Sequence, residues 1–171
     1  MTIPNFTPAI AEIFLACSGM ILLVYGVFRG DSAVKSVSWL SVLIIIIAGG
    51  FLSFGDGRSL TFNGQFVADG YARFMKWLVV LGSSLAIVMS ISYNKNEKIE
   101  RFEYPILILF STLGMFMMVS ANDLISLYIG LELQSLALYV VAAFRRDSLR
   151  SSEAGLKYFV LGALSSGMLL Y

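Results

Sequence analysis

The chain has 171 residues, with 12 Lys and Arg against 11 Asp and Glu, and a formal net charge of +1, which gives no reason to expect nucleic acid or an acidic macromolecular partner. Its residues are 58% hydrophobic and 13% charged with a mean hydropathy of +0.82, whereas soluble domains are about 45–50% apolar and about 25% charged. One cysteine, Cys17, and no histidine exclude an internal disulfide and any Cys/His cluster for metal, haem or an iron–sulfur centre.

The class that remains is all-α, a polytopic bundle of transmembrane helices. A crossing needs about 20 apolar residues, and six such spans are predicted, near 9–28, 36–54, 74–93, 104–121, 123–144 and 154–171. No Lys or Arg precedes Arg29, and the first apolar stretch is too long for the core of a signal peptide. No lipidation motif is visible at either end. Between the second and third spans lies the one long loop. There Leu60, Thr61 and Phe62, then Asn63-Gly64, then Gln65, Phe66 and Val67 predict a hairpin with an Asn-Gly turn. Asp69 and Arg73 follow four residues apart, the spacing of an interfacial ion pair. The mixed charges from Lys95 to Glu103 read as a solvated loop. Met115, Met117 and Met118 in the fourth span read as packing and not as a metal site. The sixth span is still apolar at Tyr171 with no polar flank, so a longer parent chain is expected.

Basic residues set the orientation. The first, third and fifth loops hold Arg29, Lys35, Lys95, Lys98, Arg101, Arg145, Arg146 and Arg150. Arg58, Arg73 and Lys76 are the only ones on the other side. The odd loops are therefore expected in the cytoplasm and the amino terminus outside.

Glu132 lies near the middle of the apolar run 124–144, where a charged side chain costs about 2.5–3.5 kcal/mol on insertion scales. At 100° per residue Tyr128, Ser135 and Tyr139 fall within about 60° of it, so the carboxyl group belongs to a polar stripe that should face the bundle interior. Two roles fit: handling protons, or an interhelical hydrogen bond made by a protonated Glu. Lys157 lies one to two turns inside the sixth span. Glu153 stands four residues before it, so an i,i+4 bridge and snorkelling to the interface account for it as well as an inward role does. The small residues Gly155, Gly162 and Ser166 line the opposite face and read as the packing surface. Burial disfavours the charged forms of both Glu and Lys, while proximity favours them. If both groups faced one interior, a charge arriving nearby would therefore load or eject a proton. A difference in depth on the order of 10 Å would require water or hydroxyls as a bridge.

The stretches DLISLYIGLELQSLALY (Asp123 to Tyr139), SEAGLKYFVLGALSS (Ser152 to Ser166) and FVADGYARFMK (Phe66 to Lys76) resemble the subunit N family of bacterial proton-translocating NADH–quinone oxidoreductase, respiratory complex I. The resemblance covers essentially the whole chain. It implies an antiporter-like membrane-arm subunit in the cell inner membrane, with Glu132 and Lys157 on the buried proton-transfer path. On this resemblance residues 1–103 would be three leading transmembrane helices with an external hairpin-containing loop. Residues 104–171 would begin the first of two inverted antiporter-like repeats, and a further lysine-bearing seventh helix is absent. Quinone, FMN, NADH and iron–sulfur clusters would belong to other subunits, and the partners would be other membrane-arm subunits and the lipid bilayer. Two further readings stand beside this one: a subunit of a multi-subunit cation/proton antiporter, and a truncated scaffold subunit.

Overall fold

Without water to satisfy it, the backbone of a long apolar run must bond to itself, and a helix is the local way to do so. The computed structural model describes residues 6–54, 57–97 and 99–171; Lys98, counted above among the loop bases, lies outside them. Among the described residues six α-helices follow one another: α1 Ile10–Arg29, α2 Val34–Phe51, α3 Gly70–Asn96, α4 Glu103–Ser120, α5 Leu124–Ala142 and α6 Leu149–Leu170. The first five are long and apolar enough to cross a membrane. The sixth has 22 residues but begins earlier than its apolar run, because Ser148 caps it and accepts from the Ser151 amide. Its first three turns therefore carry Arg150, Glu153 and Lys157.

Capping also moves the start of α3. Asp69 accepts a 2.7 Å hydrogen bond from the Ala72 amide, the usual work of an N-cap carboxylate, and this starts the helix at Gly70 instead of near Phe74. The acid expected to pair with Arg73 is thus a cap, and among the described residues no ion pair joins the two. The hairpin forms with β1 Ser59–Thr61 and β2 Phe66–Ala68 antiparallel, Thr61 opposite Phe66. Its turn contains Asn63-Gly64, but φ is positive at three successive residues, 53° at Phe62, 55° at Asn63 and 88° at Gly64, so Phe62 and Gln65, predicted as strand residues, belong to the loop between the strands. Asn122 fastens the hairpin to the α4–α5 connection, its amide donating to Gln65 O at 2.9 Å and its Nδ2 to Gly64 O at 2.7 Å. Hairpin and α4–α5 turn therefore share one end of the bundle. At the opposite end Arg145 reaches Glu97 at 3.2 Å and the rings of Tyr104 and Phe144 meet edge to face.

α4 is the central helix, packed against α1, α2, α3 and α5. Leu109, Thr112 and Phe116 on it are completely buried, beside Leu15, Ile45 and Ile87 from the first three helices. Lipid tails are as apolar as leucine, so close approach of small residues drives helix association in a membrane more than burial does. α4 and α5 show it. A Cβ on Gly114 would lie 2.6 Å from Gln134 N, and one on Gly130 would lie 2.8 Å from Met118 N.

Candidate functional site

Glu132 is placed by that glycine contact. It follows Gly130 by two residues, a rotation of about 200°, so the face of α5 that packs on α4 turns Glu132 away from α4 and toward α6. There the small residues of α6 let it approach. Gly155 sits against Ala143, Gly162 leaves room for the Tyr139 ring, and Ser166 is buried. The face opposite Lys157 is therefore the packing surface, as the sequence pattern predicts. Ser166 Oγ is hydrogen-bonded to the Glu132 carboxylate and lies 2.9 Å from the Tyr128 hydroxyl. Glu132, Tyr128 and Tyr139 of the predicted stripe all address α6, and the Tyr139 ring meets Tyr158 and Phe159 edge to face. Ser135 is half-buried on the same helix.

Three oxygens in a row make a directional chain. Ser166 has a single hydroxyl proton. With Glu132 ionised, Ser166 donates to the carboxylate and Tyr128 donates to Ser166. With Glu132 protonated the order reverses, Glu132 donating to Ser166 and Ser166 to Tyr128. The oxygen positions suit both orders, so the arrangement can hold a proton on Glu132 or release it while Ser166 stays bonded on both sides.

Lys157 is elsewhere. Its Nζ is 2.5 Å from Glu153 Oε1 in an i,i+4 bridge, and 70% of the side chain is exposed. Among the described residues no hydrogen bond or ion pair joins it to Glu132. The structure thus brings Glu132 together with two hydroxyls and leaves Lys157 on the outer surface of α6.

A second charged site is not evident from the sequence. Lys76 Nζ lies 2.5 Å from Glu12 Oε1, and the two side chains are only 3% and 8% exposed. The ammonium also sits over the rings of Phe66, at 5.0 Å, and Phe116, at 5.6 Å, within the range of cation–π attraction. A third helix starting at Phe74 would have Lys76 at its mouth. The Asp69 cap lengthens the helix outward and carries Lys76 nearly two turns inside. Glu12 is open to the rule applied to Glu132, since it too is a carboxylate within an apolar span.

Known proteins are similar to this chain in both sequence and fold. Residues 121–171, which carry Glu132, Ser166 and Lys157, match the family model described as NADH:quinone oxidoreductase/Mrp antiporter, TM. The chain is 57% identical over 171 residues to NADH-quinone oxidoreductase subunit N of Parvibaculum lavamentivorans, covering 99% of this chain and 35% of that protein. It is also 56% identical to subunit N of Paramagnetospirillum magneticum, covering 98% of this chain and 34% of the relative. A chain of respiratory complex I from Thermus thermophilus superposes with a TM-score of 0.78 at 28% identity, over 95% of this chain and 35% of that one. The chain spans about a third of the length of the relatives it matches. Its five apolar spans and its fold, similar to that of the complex I chain, are those of a polytopic membrane protein.

Proposed function

We propose that this chain is part of a proton-translocating membrane-arm subunit of a bacterial NADH–quinone oxidoreductase, of the subunit N kind. The observation that carries the reading is Glu132, held in an apolar helix by a reversible chain of hydroxyls within the segment matched by the family model. Glu132 is the group that takes up and gives back the proton. Lys157 is the relay amine. Its exposed face of α6, with Leu161, Leu164 and Met168, is where further helices of a subunit about three times as long would pack. There Lys157 would exchange Glu153 for a new partner. Residues 1–103 act as the leading helices and residues 104–171 as the start of the first antiporter-like repeat. The basic residues of the odd loops support a seat in the cell inner membrane with the amino terminus outside. Quinone reduction, with NADH, FMN and iron–sulfur clusters, is the work of partner subunits.

The test is Glu132→Gln in the complete complex. Protons moved per NADH oxidised should fall sharply, and an unchanged ratio removes Glu132 from the path. The Mrp antiporter named in the family description supports a second reading, a cation/proton antiporter subunit. Flavin and iron–sulfur proteins co-purifying in mild detergent favour the first; their absence together with sodium transport favours the second.

A further inference from the structure

The pair Glu12–Lys76 lies outside the segment matched by the family model and is not needed for the chain of groups around Glu132. A buried ion pair kept only for structure should have its remaining lone pairs and protons satisfied, because desolvation costs about as much as the attraction returns. This pair does not. Glu12 Oε2 is buried and has no hydrogen-bond partner among the described residues, and the oxygen that is bonded, Oε1, has Lys76 as its partner.

Each member also opens on its own cavity. One, of about 320 Å³, is bounded by Glu12, Phe66, Met117 and, on α5, Ser126. The other, of about 460 Å³, is bounded by Lys76, Ser59, Asp69 and Arg73 at the hairpin end of the bundle. Asp69 and Arg73 are the charged groups that face Lys76 across it. Both cavities are large enough for several waters, which occupy about 30 Å³ each in the liquid.

We propose that Glu12 and Lys76 form a second proton-exchange site, which passes protons between the cavity at the hairpin end, where Asp69 and Arg73 stand, and the cavity that reaches α5. This rests on the reading of the chain as a proton-translocating subunit. A hydronium arriving from the α5-side cavity gives its proton to the Glu12 carboxylate: one O–H bond breaks, another forms, and water is left. The neutral carboxyl group strands the Lys76 ammonium in a low-dielectric site. Lys76 then releases a proton to water in the other cavity, breaking an N–H bond and leaving a neutral amine. Transfer of the carboxyl proton from Glu12 to Lys76 Nζ restores the ion pair. One proton has entered and one has left, with no change in net charge, and the sequence runs equally in reverse.

The experiment uses the complete complex and three variants: Glu132→Gln, the double variant Glu12→Gln with Lys76→Met, and Lys76→Arg. The double variant removes both charges together, so no uncompensated charge is left buried. Arg keeps the charge and the pairing but does not deprotonate in proteins. In an assembled complex the double variant should lose protons per NADH oxidised as Glu132→Gln does, and Lys76→Arg should do the same. An assembled double variant with an unchanged ratio, where Glu132→Gln lowers it, overturns this inference alone. An unchanged ratio in Glu132→Gln overturns the parent reading instead. If the double variant does not assemble, Lys76→Arg decides: a normal ratio makes the pair structural, and a lowered ratio with the complex intact supports exchange.

Discussion

Glu12 and Glu132 both lie in apolar helices of this bundle, and the protein compensates them by different means. Glu132 is half-buried and answered by hydroxyls, Ser166 and through it Tyr128. Glu12 is almost fully buried and answered by a full opposite charge, the Lys76 ammonium. A hydroxyl chain fits either protonation state of its carboxyl group, because each oxygen both donates and accepts. An ammonium fits only the ionised state, so moving one proton upsets both partners. The first site is built to tolerate a change of charge, the second to be disturbed by one.

The sharpest way to break that contrast is to remove one partner from each. Lys76→Met alone leaves the Glu12 carboxylate uncompensated and should destabilise the subunit by about 3–5 kcal/mol, read as loss of assembled complex or a lowered unfolding temperature in detergent. Glu132→Gln keeps a hydrogen-bonding group beside Ser166 and should assemble normally. Equal losses from the two would erase the distinction between the sites.

The helix contact that aims Glu132 comes next in size. A side chain at Gly114 must push α4 from α5, since backbone atoms of Gln134 and Gly130 occupy the space at 2.6 and 2.7 Å. Gly114→Val should cost about 1–3 kcal/mol and lower proton transfer through Glu132. A methyl group added at Gly82 would meet nothing within 4 Å, so Gly82→Ala should be neutral or stabilising by up to about 1 kcal/mol from helix propensity. Thermal unfolding of the two variants side by side tests the contact.

Ser166→Ala is smaller again. It removes one interhelical hydrogen bond, about 0.5–1.5 kcal/mol, and separates Glu132 from Tyr128. If the hydroxyl chain carries the proton, the transfer rate should fall about fivefold for each kcal/mol lost, and Tyr128→Phe should produce a similar fall. Rates unaffected by both would leave Glu132 to exchange protons by another route.

How far these sites are legible follows from the kind of signal each one gives. Period and polarity are enough for the helices, the Asn63-Gly64 turn and the side of α5 that Glu132 addresses, because those depend on local geometry. The small face of α6 is legible for the same reason: Gly155, Gly162 and Ser166 lie on one side of a helix whatever it meets. What the chain does not spell out is which helix answers which. Glu12 and Lys76 are 64 residues apart, and Lys76 has the look of an interfacial base until the Asp69 cap extends α3 beyond it. Asp69 itself reads as a partner for Arg73, since a carboxylate four residues before an arginine and a carboxylate capping a helix present nearly the same spacing. Lys157 illustrates the opposite limit. The sequence leaves its direction open, and the structure turns it toward Glu153.

The smallest effect separates a cap from a buried charge by pH. Asp123 caps α5, accepting from the Ser126 amide at 2.8 Å. A hydrogen bond from the Ser126 hydroxyl, followed by that amide, holds its carboxyl group below the usual value of 3.8. A lowered folded-state pKa means that the ionised cap stabilises the helix start. The contribution is complete above the ordinary carboxylate range and fades as pH falls through the lowered value. Hydrogen exchange at the Ser126 amide should therefore be slow near neutral pH and accelerate relative to its intrinsic rate only in acid. Asp123→Asn keeps an acceptor and should lose the pH dependence, while Asp123→Ala should expose the amide at every pH. Protection that ignored both substitutions would show that packing of α5 on α4, anchored by Gly114 and Gly130, holds the first turn without its cap.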